Sequence, residues 1–446
     1  MSFKPYESYK QSGADWLGSV PSHWSAARVK TLFEIRKRIA GELGHAVLSV
    51  TQKGLKVRDT ESNDGQLSMD YSKYQLVEPD DFVMNHMDLL TGYVDVSKFH
   101  GVTSPDYRVF AARTKSLSLR FFLYLFQNGY QQRIFYAFGQ GASGFGRWRM
   151  PTDSFNDFIL PVPALSEQMA IVAFLDRETA KIDALVAEER RLIALLKEKR
   201  QAVILHAVTK GLDPSAPMKT SGIESLGKVP QHWGVRPLKY IATFESGGTP
   251  SKEKLDYWSG DIPWASAKDL KVDRLSSTID NITRLALDEG AASLVPAKSV
   301  LVLVRGMMLA RTFPVVIASI PMAINQDLKA LNGLGVDNNY LAWALRGLEA
   351  ETLSRIDEAG HGTKAIRMEA WTTMCIPLPP AQEQKAISTA LEGRTAMIDG
   401  LIGEVETSMS LLHERRSALT SAAVTGKIDV GGLAEADAAI PDVVAA

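Results

Sequence analysis

Two segments of this chain occur twice, and that duplication constrains the fold more than any other feature of the sequence. SGADWLGSVPSHW at residues 12–24 recurs as SGIESLGKVPQHW at 221–233. ILPVPALSEQMAIVAFLDRETAKIDALV at 159–186 recurs as CIPLPPAQEQKAISTALEGRTAMIDGLI at 375–402. The offsets of 209 and 216 residues are far longer than the repeats of about 20–50 residues that build solenoids. The chain is therefore a duplicated unit whose halves diverge between the repeated segments.

The second repeated segment, with the residues that follow it, predicts a long helix in each half. Its apolar residues recur at steps of three, four or seven, which is the spacing of a coiled-coil seam. The predicted seam residues are Ile171, Leu175, Ile182, Leu185, Leu192, Leu196 and Val203 in the first copy, and Ile387, Leu391, Ile398, Leu401, Leu412 and Leu419 in the second. Ser166 is predicted to be the N-cap of the first helix. Three glycines and Ser408 weaken the seam of the second copy.

The stretches between the repeats predict two mixed α/β domains. FVMNHM, SVLVLV and FPVVIASI are typical of strands, whereas SLRFFLYLFQNGYQQRI and NNYLAWALRGLEAETLSRI are typical of helices. Pairing of the two long helices as an antiparallel coiled coil would give an α/β fold with a pseudo-twofold internal repeat and a rigid spacer between two globular domains. The predicted boundaries are 1–160 and 211–376 for the globular domains, 161–210 and 377–428 for the spacer helices, and 429–446 for an acidic, disordered tail.

Charge and cysteine content exclude some classes of protein. Fifty basic and 51 acidic residues give a net charge of −1, whereas non-specific nucleic-acid binders usually carry a positive excess. A protein that concentrates its basic groups on particular faces remains possible. The single cysteine, Cys375, cannot form an internal disulfide or a cysteine-based zinc site. The sequence shows neither a signal peptide nor an apolar stretch of membrane-spanning length, so we expect a cytoplasmic protein.

A glycine pattern raises the question of a cofactor. Gly139, Gly141 and Gly144 match G-x-G-x-x-G, but a dinucleotide loop must follow a strand and open a helix. Here a helical pattern precedes the glycines and none follows, and the second half keeps only Gly360 and Gly362. The sequence also lacks a phosphate loop, a zinc-binding H-E-x-x-H and a nucleophile elbow. We therefore predict that this chain binds no cofactor or metal.

Both halves place basic residues after a glycine-containing turn. Arg147 and Arg149 follow it in the first half, and Lys364 and Arg367 in the second. Backbone amides flanked by guanidinium or ammonium groups suit DNA phosphates or base edges. The alternative is a structural turn that leads the chain towards the long helix, and the two interpretations are compatible.

Trp24 and Trp233 occupy the same V-P-x-H-W context in the two repeats. Exposed tryptophans can stack on bases. Because the two residues recur beside Leu17 and Leu226, packing in the core against the helix ends is the favoured interpretation.

On these residues the chain resembles the specificity subunits of Type I restriction-modification enzymes. The similar elements are the helix start P-[VL]-P-x-x-x-E-Q-x-x-I at 161–171 and 377–387, the following I-D at 182–183 and 398–399, and the domain opening LGxVPxHW from Leu17 and Leu226. Two further segments, NHMDLLTGYVDVSKFHGVTSPDYRVF and SGGTPSKEKLDYWSGDIPWASAKDL, are also similar to segments of that family. The resemblance covers nearly the whole chain except the acidic tail.

The resemblance implies that each globular domain is a target recognition domain for one half of a split DNA sequence. Because the domains differ in sequence, the two half-sites should differ, and the paired helices would fix the gap between them. The implied partners are double-stranded DNA, two methyltransferase subunits and restriction/translocase subunits, with no membrane. Those subunits would use S-adenosylmethionine, ATP and Mg. The resemblance implies that this chain would bind none of these cofactors and would not itself be an enzyme.

We predict DNA contacts where long hydrogen-bond donors cluster near glycine or polar turns. The predicted residues are Lys53, Lys56, Arg58, Arg147 and Arg149 in the first domain, and Thr249, Ser251, Lys268, Arg305, Lys364 and Arg367 in the second. Two other classes of function stay open: a coiled-coil adaptor whose domains bind proteins, and a DNA methyltransferase with degenerate motifs.

Overall fold

The computed structural model describes residues 3–59, 70–141, 148–359 and 363–431. The chain forms two compact units. The first consists of Met1–Glu189 together with Thr407–Ala446, and the second of Arg190–Glu406. Within the described ranges, no helix has both the length and the apolar composition that crossing a membrane requires.

The first unit is built from short strands and helices. Its strands are β1 (Tyr9–Gln11), β2 (Ser19–Pro21), β3 (Ser25–Arg28), β4 (Phe33–Ile35), β5 (Leu48–Thr51), β6 (Gly54–Val57), β7 (Gln75–Val77), β8 (Phe82–Met84), β9 (Val94–Val96), β10 (Gly101–Thr103), β11 (Arg108–Ala112) and β12 (Ile159–Val162). Its helices are α1 (Val29–Leu32), α2 (Leu119–Gln131), α3 (Thr152–Asp157) and the first part of α4 (Leu165–Lys210).

An antiparallel sheet in the order β4-β11-β8-β9 forms the centre of the first unit. Residues of β8 are buried on both faces, so this strand lacks the polar–apolar alternation of a half-exposed strand. One face packs on an aromatic cluster in which the rings of Phe82 and Phe110 stack at 5.0 Å. The other face packs Val83 and Val109 on β5 and β7. The sheet therefore separates two apolar clusters.

The second unit contains more strands. They are β13 (Met218–Thr220), β14 (Lys228–Pro230), β15 (Gly234–Pro237), β16 (Ala242–Ser246), β17 (Trp258–Ala265), β18 (Arg274–Leu275), β19 (Asp280–Ile282), β20 (Leu294–Val295), β21 (Val300–Leu303), β22 (Val315–Ala318), β23 (Met322–Ile324), β24 (Leu328–Gly333), β25 (Ile356–Ala359), β26 (Thr363–Ile366) and β27 (Cys375–Leu378). Its helices are α5 (Arg284–Asp288), α6 (Asn338–Gly347), α7 (Glu349–Leu353), α8 (Met368–Thr372) and the first part of α9 (Ala381–Val424).

The central sheet of the second unit repeats the order of the first. Strands β16-β24-β21-β22 correspond to β4-β11-β8-β9, and β18 adds a parallel edge strand. A second sheet, β19-β17-β23-β20, packs beside it. The predicted strands in SVLVLV and FPVVIASI are β21 and β22. The predicted helix from Asn338 to Ile356 is interrupted at Leu348, whose non-helical backbone separates α6 from α7.

The repeated E-Q and H-W pairs contact each other in the same way in both units. The indole N–H of Trp24 donates to Glu167 at 2.8 Å, and that of Trp233 donates to Glu383 at 3.1 Å. Both indoles are completely buried. The prediction that they are core residues is confirmed, because each packs against the glycine that ends a long helix, Gly426 or Gly211 in the respective unit. The histidine before each tryptophan also contacts that glutamate.

The prediction of Ser166 as N-cap is wrong, because α4 begins at Leu165. The glutamine next to the repeated glutamate makes the ordering contacts instead. Gln168 donates to the carbonyl of Pro163 at 2.9 Å and accepts the N–H of Ser118, the N-cap of α2, at 2.8 Å. Gln384 repeats this arrangement in the second unit with the N-cap of α6. Each glutamine therefore fixes a long helix to the helix that covers the sheet.

The two long helices contact each other within each unit. In the first unit, Arg416 Nε lies 3.1 Å from Asp183 Oδ1, and Ser408 Oγ donates to Glu189 at 2.6 Å. In the second unit, Arg200 Nε lies 2.9 Å from Asp399 Oδ1. In the first unit, residue numbers rise along one helix as they fall along the other, so the two segments run antiparallel there.

Part of the predicted seam is wrong. Ile171, Leu175 and Ile182 are buried as predicted. Leu185, Leu192 and Leu401 are instead 54%, 44% and 44% exposed. Val186, which adjoins Leu185, is buried instead. Several apolar side chains adjoin one another in sequence, so the spacing alone permits more than one register.

The tail prediction is also wrong at its start. The N–H of Asp429 donates to the carbonyl of Lys4 at 2.8 Å, and Val430 is completely buried in the core of the first unit. Residues 429–431 are therefore ordered, and the rest of the predicted tail, 432–446, lies outside the described residues.

Candidate nucleic-acid interface

Three predicted contact residues lie on the hairpin of β5 and β6. Lys53 is in the turn, where Thr51 Oγ1 accepts its backbone N–H at 3.2 Å. Lys56 is exposed on β6, and no residue that the structure describes forms an ion pair with either lysine. Arg58 follows β6, and its N–H donates to the carbonyl of Val47 at 2.7 Å. The hairpin thus presents ammonium groups that an external anion can reach.

Arg149 forms an isolated antiparallel β-bridge with Gln140. Its N–H and carbonyl exchange hydrogen bonds of 3.1 and 2.8 Å with Gln140, and its side chain is exposed. Gly139 permits close packing of the Trp148 indole, with which a Cβ would clash. Two glycines of the G-x-G-x-x-G pattern therefore have a structural explanation, since Gly141 adopts a φ of 126°. Gly144 and the predicted contact residue Arg147 lie outside the described residues.

A buried cation lies close to this bridge. Arg108, at the start of β11, donates to the carbonyl of Met150 at 3.1 Å, and its guanidinium lies 4.4 Å from the centre of the Phe155 ring. Burial lowers the pKa of Arg108 to about 10, so this residue keeps its charge at neutral pH. No carboxylate among the described residues forms an ion pair with it. Arg108 therefore adds positive potential beside Arg149.

His86 lies between these cations and is neutral. Burial, then the charges of Arg108 and Arg149, lower the pKa of His86 to about 3. Its Nδ1 is buried and has no partner among the described residues. The side chain therefore does not contribute charge to this surface near pH 7.

In the second unit, the loop that carries Thr249 and Ser251 packs on the end of β23. Thr249 Oγ1 donates to Gln326 Oε1, and the N–H of Gly248 donates to the carbonyl of Ile324 at 2.9 Å. A side chain on Gly247 would clash with the same carbonyl, so this close approach requires glycine. Both predicted contact residues are exposed on the loop.

The hairpin of β25 and β26 reaches the same region. Arg305 forms an isolated β-bridge with Ala365, and the N–H of Gly306 donates to the carbonyl of Lys364 at 2.9 Å. Lys364 Nζ lies 3.1 Å from Glu358, and Arg367 Nε lies 3.4 Å from Asp357. Thr249, Arg305 and Lys364 are therefore brought close together by successive contacts through the end of β23.

Lys268 lies on the loop after β17. It is exposed and forms no ion pair with a described residue. Ala265, three residues earlier, accepts the N–H of Asn325 at 2.9 Å. This contact connects the loop to the same strand end.

Sequence reasoning missed the polar segment Asn325-Gln326-Asp327, on which these contacts converge. Gln326 is exposed, Asn325 is 7% exposed, and Asp327 accepts a hydrogen bond from Arg305 Nε at 2.9 Å. Three polar residues directly after the apolar run MAI were the available signal. In the first unit Arg108 was missed, because a single arginine inside an apolar strand pattern does not reveal that it lacks a carboxylate partner.

Comparison with known proteins gives a consistent result. The family model described as Type I restriction modification DNA specificity domain matches residues 51–193 and 230–405, which is more than half of the chain. A solved chain from a study of complex assembly and conformational transition of the type I R-M system has a TM-score of 0.67 and 15% sequence identity. The match covers 92% of this chain and 99% of that chain, which shows a shared fold.

Two curated relatives are similar over shorter segments. The Type I restriction enzyme EcoR124I/EcoR124II specificity subunit of Escherichia coli is 29% identical over 194 residues, 42% of this chain and 48% of that protein. The Type I restriction enzyme MjaIX specificity subunit of Methanocaldococcus jannaschii is 29% identical over 170 residues, 37% of this chain and 38% of that protein. The matches thus span less than half the length of these curated relatives. On the coverage of the family model, the chain belongs to the Type I restriction-modification DNA specificity family.

Proposed function

We propose that this chain is the DNA-recognition subunit of a Type I restriction-modification complex, and that its two units bind the two unlike halves of a split DNA sequence. The observation that carries the proposal is one sheet order used twice, with different polar residues at the strand ends. Because the sheet order is the same in both units, the side chains at the strand ends lie in equivalent positions. Where those side chains differ, they contact different bases. The target is therefore bipartite and asymmetric.

The predicted contact residues support DNA as the ligand. Among the described residues, Lys53, Lys268 and Lys364 lie on hairpins or turns, and long basic side chains there can reach phosphates and base edges. Lys53, Lys56 and Lys268 are exposed. A protein-binding adaptor would not need such basic side chains on exposed loops of both units. A DNA target is therefore favoured over that alternative.

We infer further that α4 and α9 pair as an antiparallel coiled coil and act as the spacer of a pseudo-twofold arrangement. The ion pair of Asp183 with Arg416 in the first unit, and that of Arg200 with Asp399 in the second, support this pairing. Residues 1–160 and 211–376 would then be the target recognition domains. The length of the paired helices would set the number of base pairs between the half-sites.

The chemistry would belong to partner subunits. Two methyltransferase subunits would use S-adenosylmethionine to methylate adenine, and restriction/translocase subunits would use ATP and Mg. This chain would dock them and hold the DNA without catalysing a reaction itself. Because its ligand would be DNA, it would act in the cytoplasm.

A genome-wide map of methylated adenines, made with and without the gene for this chain, tests the proposal. The expected result is a motif with two unlike halves around an unspecified gap, present only when the gene is intact. An unchanged map, or loss of one continuous motif, would contradict the proposal. Methyl transfer by the purified chain alone would favour the methyltransferase alternative.

A further inference from the structure

In the second unit, the end of β21 and the start of β24 bring an arginine and a carboxylate together. Arg305 lies two residues after β21, and Asp327 immediately precedes β24. The N–H of Val304 donates to the carbonyl of Asp327 at 2.8 Å, so strand pairing fixes the two backbones side by side. The side chains then meet with Arg305 Nε 2.9 Å from Asp327 Oδ1.

The carboxylate of Asp327 is itself held in place. Asn325 is 7% exposed, and its Oδ1 accepts the backbone N–H of Asp327 at 3.2 Å. Its Nδ2 donates to Asp327 Oδ2 at 3.5 Å. One carboxylate oxygen therefore faces the buried amide, while the other faces Arg305.

This arrangement leaves one end of the Arg305 guanidinium available. The side chain is 55% exposed, and only its Nε contacts an acceptor among the described residues. A guanidinium is planar and carries its donors in a fixed fork. With Nε anchored, the Nη1 and Nη2 groups are presented together as a pair of donors.

We propose that Arg305, positioned by Asp327, recognises one guanine in the half-site bound by the second unit; this inference rests on the proposed function. The O6 and N7 atoms of guanine are two acceptors at the spacing that an arginine fork contacts in the major groove. A phosphate suits the site less well, because the Asp327 carboxylate next to the guanidinium repels an anion. Asp327 acts as a positioning residue and Arg305 as the base-contacting residue.

The first unit does not repeat this pair. Two residues after β8 it has His86, and before β11 it has Tyr107. Neither side chain provides a charged fork. The guanine contact is therefore specific to the half-site of the second unit.

The test uses the complex of this chain with its methyltransferase subunits, and duplexes that carry each single base-pair change across both halves of the mapped motif. Arg305→Lys keeps the charge but removes the fork. We expect it to reduce the preference for guanine at one position of one half by roughly 5- to 150-fold in relative binding, with the other positions unchanged. Asp327→Asn should weaken the same preference to a smaller extent.

Arg284 and Asp288 provide a matched control, because they form another exposed Arg–Asp pair, 3.2 Å apart, in the same unit. Arg284→Lys and Asp288→Asn should leave every base preference unchanged. If Arg305→Lys also leaves all preferences unchanged, or weakens binding equally to every duplex, the guanine contact is wrong. If Asp327→Asn does not fold, the result with Arg305→Lys decides alone. A wild-type complex without any base preference would instead contradict the proposed function.

Discussion

The residue two positions after β8 in the first unit is a half-buried, neutral histidine, whereas the residue two positions after β21 in the second unit is an exposed arginine. These strands occupy the same place in sheets of the same order. In the first unit the buried Arg108 lies close to Arg149, whereas in the second unit Arg305 contacts the hairpin that carries Lys364. The comparison shows that the sheet and the repeated helix contacts are kept, while the strand ends and loops carry the differences.

Substitutions in the contacts that both units share should have the largest effect on stability. Trp24→Ala and Trp233→Ala each remove a completely buried indole and the hydrogen bond to the repeated glutamate. We expect each change to lower the free energy of unfolding by about 3–5 kcal/mol. Denaturant titration measures this, with the less buried Trp258→Ala as control. A loss below about 1 kcal/mol in either variant would show that the two repeats are not equivalent.

The second prediction is that the stability of the two units depends differently on pH. Unfolded His86 would take up a proton near its ordinary pKa of 6.5, whereas in the folded state its pKa is about 3. The unfolded state therefore binds more protons, so this contribution to stability is complete above pH 6.5 and is lost as the pH falls towards 3. Between pH 7 and pH 5 the loss should be about 2 kcal/mol. Hydrogen exchange of amides in β8 and β11, compared with β21 and β24, measures it.

The histidine prediction has a matched control in the same unit. His86→Gln should remove most of the difference in stability between pH 7 and pH 5. The substitution of the exposed His100 by Gln should retain that difference. Equal acid sensitivity of both units in all three proteins would show that other groups, and not His86 with its lowered pKa, determine the response.

The third prediction concerns an asymmetry within the repeat. Glu167 accepts hydrogen bonds from Trp24 and from Tyr6, each at 2.8 Å, and burial and this glutamate raise the pKa of Tyr6 well above its usual value. Glu383 accepts no hydrogen bond from a tyrosine among the described residues; its partners are His232 and Trp233. We expect Glu167→Ala to cost about 2–3 kcal/mol and Glu383→Ala about 1–2 kcal/mol in unfolding free energy. In a Tyr6→Phe background, the losses caused by Glu167→Ala and Glu383→Ala should become similar. A greater loss for Glu383→Ala than for Glu167→Ala would contradict this explanation.

The central strands and the long helices could be predicted from the sequence, because they depend on local patterns. The apolar runs of β8, β21 and β22 and the spacing of the long helices determine element type directly. The inward residues of the helices were less predictable. Leu192 and Leu195 adjoin Ile193 and Leu196, so the period alone does not select one register, and packing decides.

The candidate interface was predictable only in part. Basic residues after glycine turns indicated Arg149 and Lys364, since turns and long donors are visible in the sequence. The pairing of Arg305 with Asp327 was not, because it depends on β21 lying beside β24 across 22 residues of chain. The neutral state of His86 was equally hidden, since it depends on burial next to Arg108.

The central claim is that the two units recognise different half-sites, and two single variants test it most directly. Arg149→Ala and Arg305→Ala would each be assembled with the methyltransferase subunits, and the methylated motif of each complex would be mapped. We predict that Arg149→Ala relaxes base preference in one half only and that Arg305→Ala relaxes it in the other half only. If both variants alter the same half, or if either alters both, the assignment of one half-site to each unit is wrong.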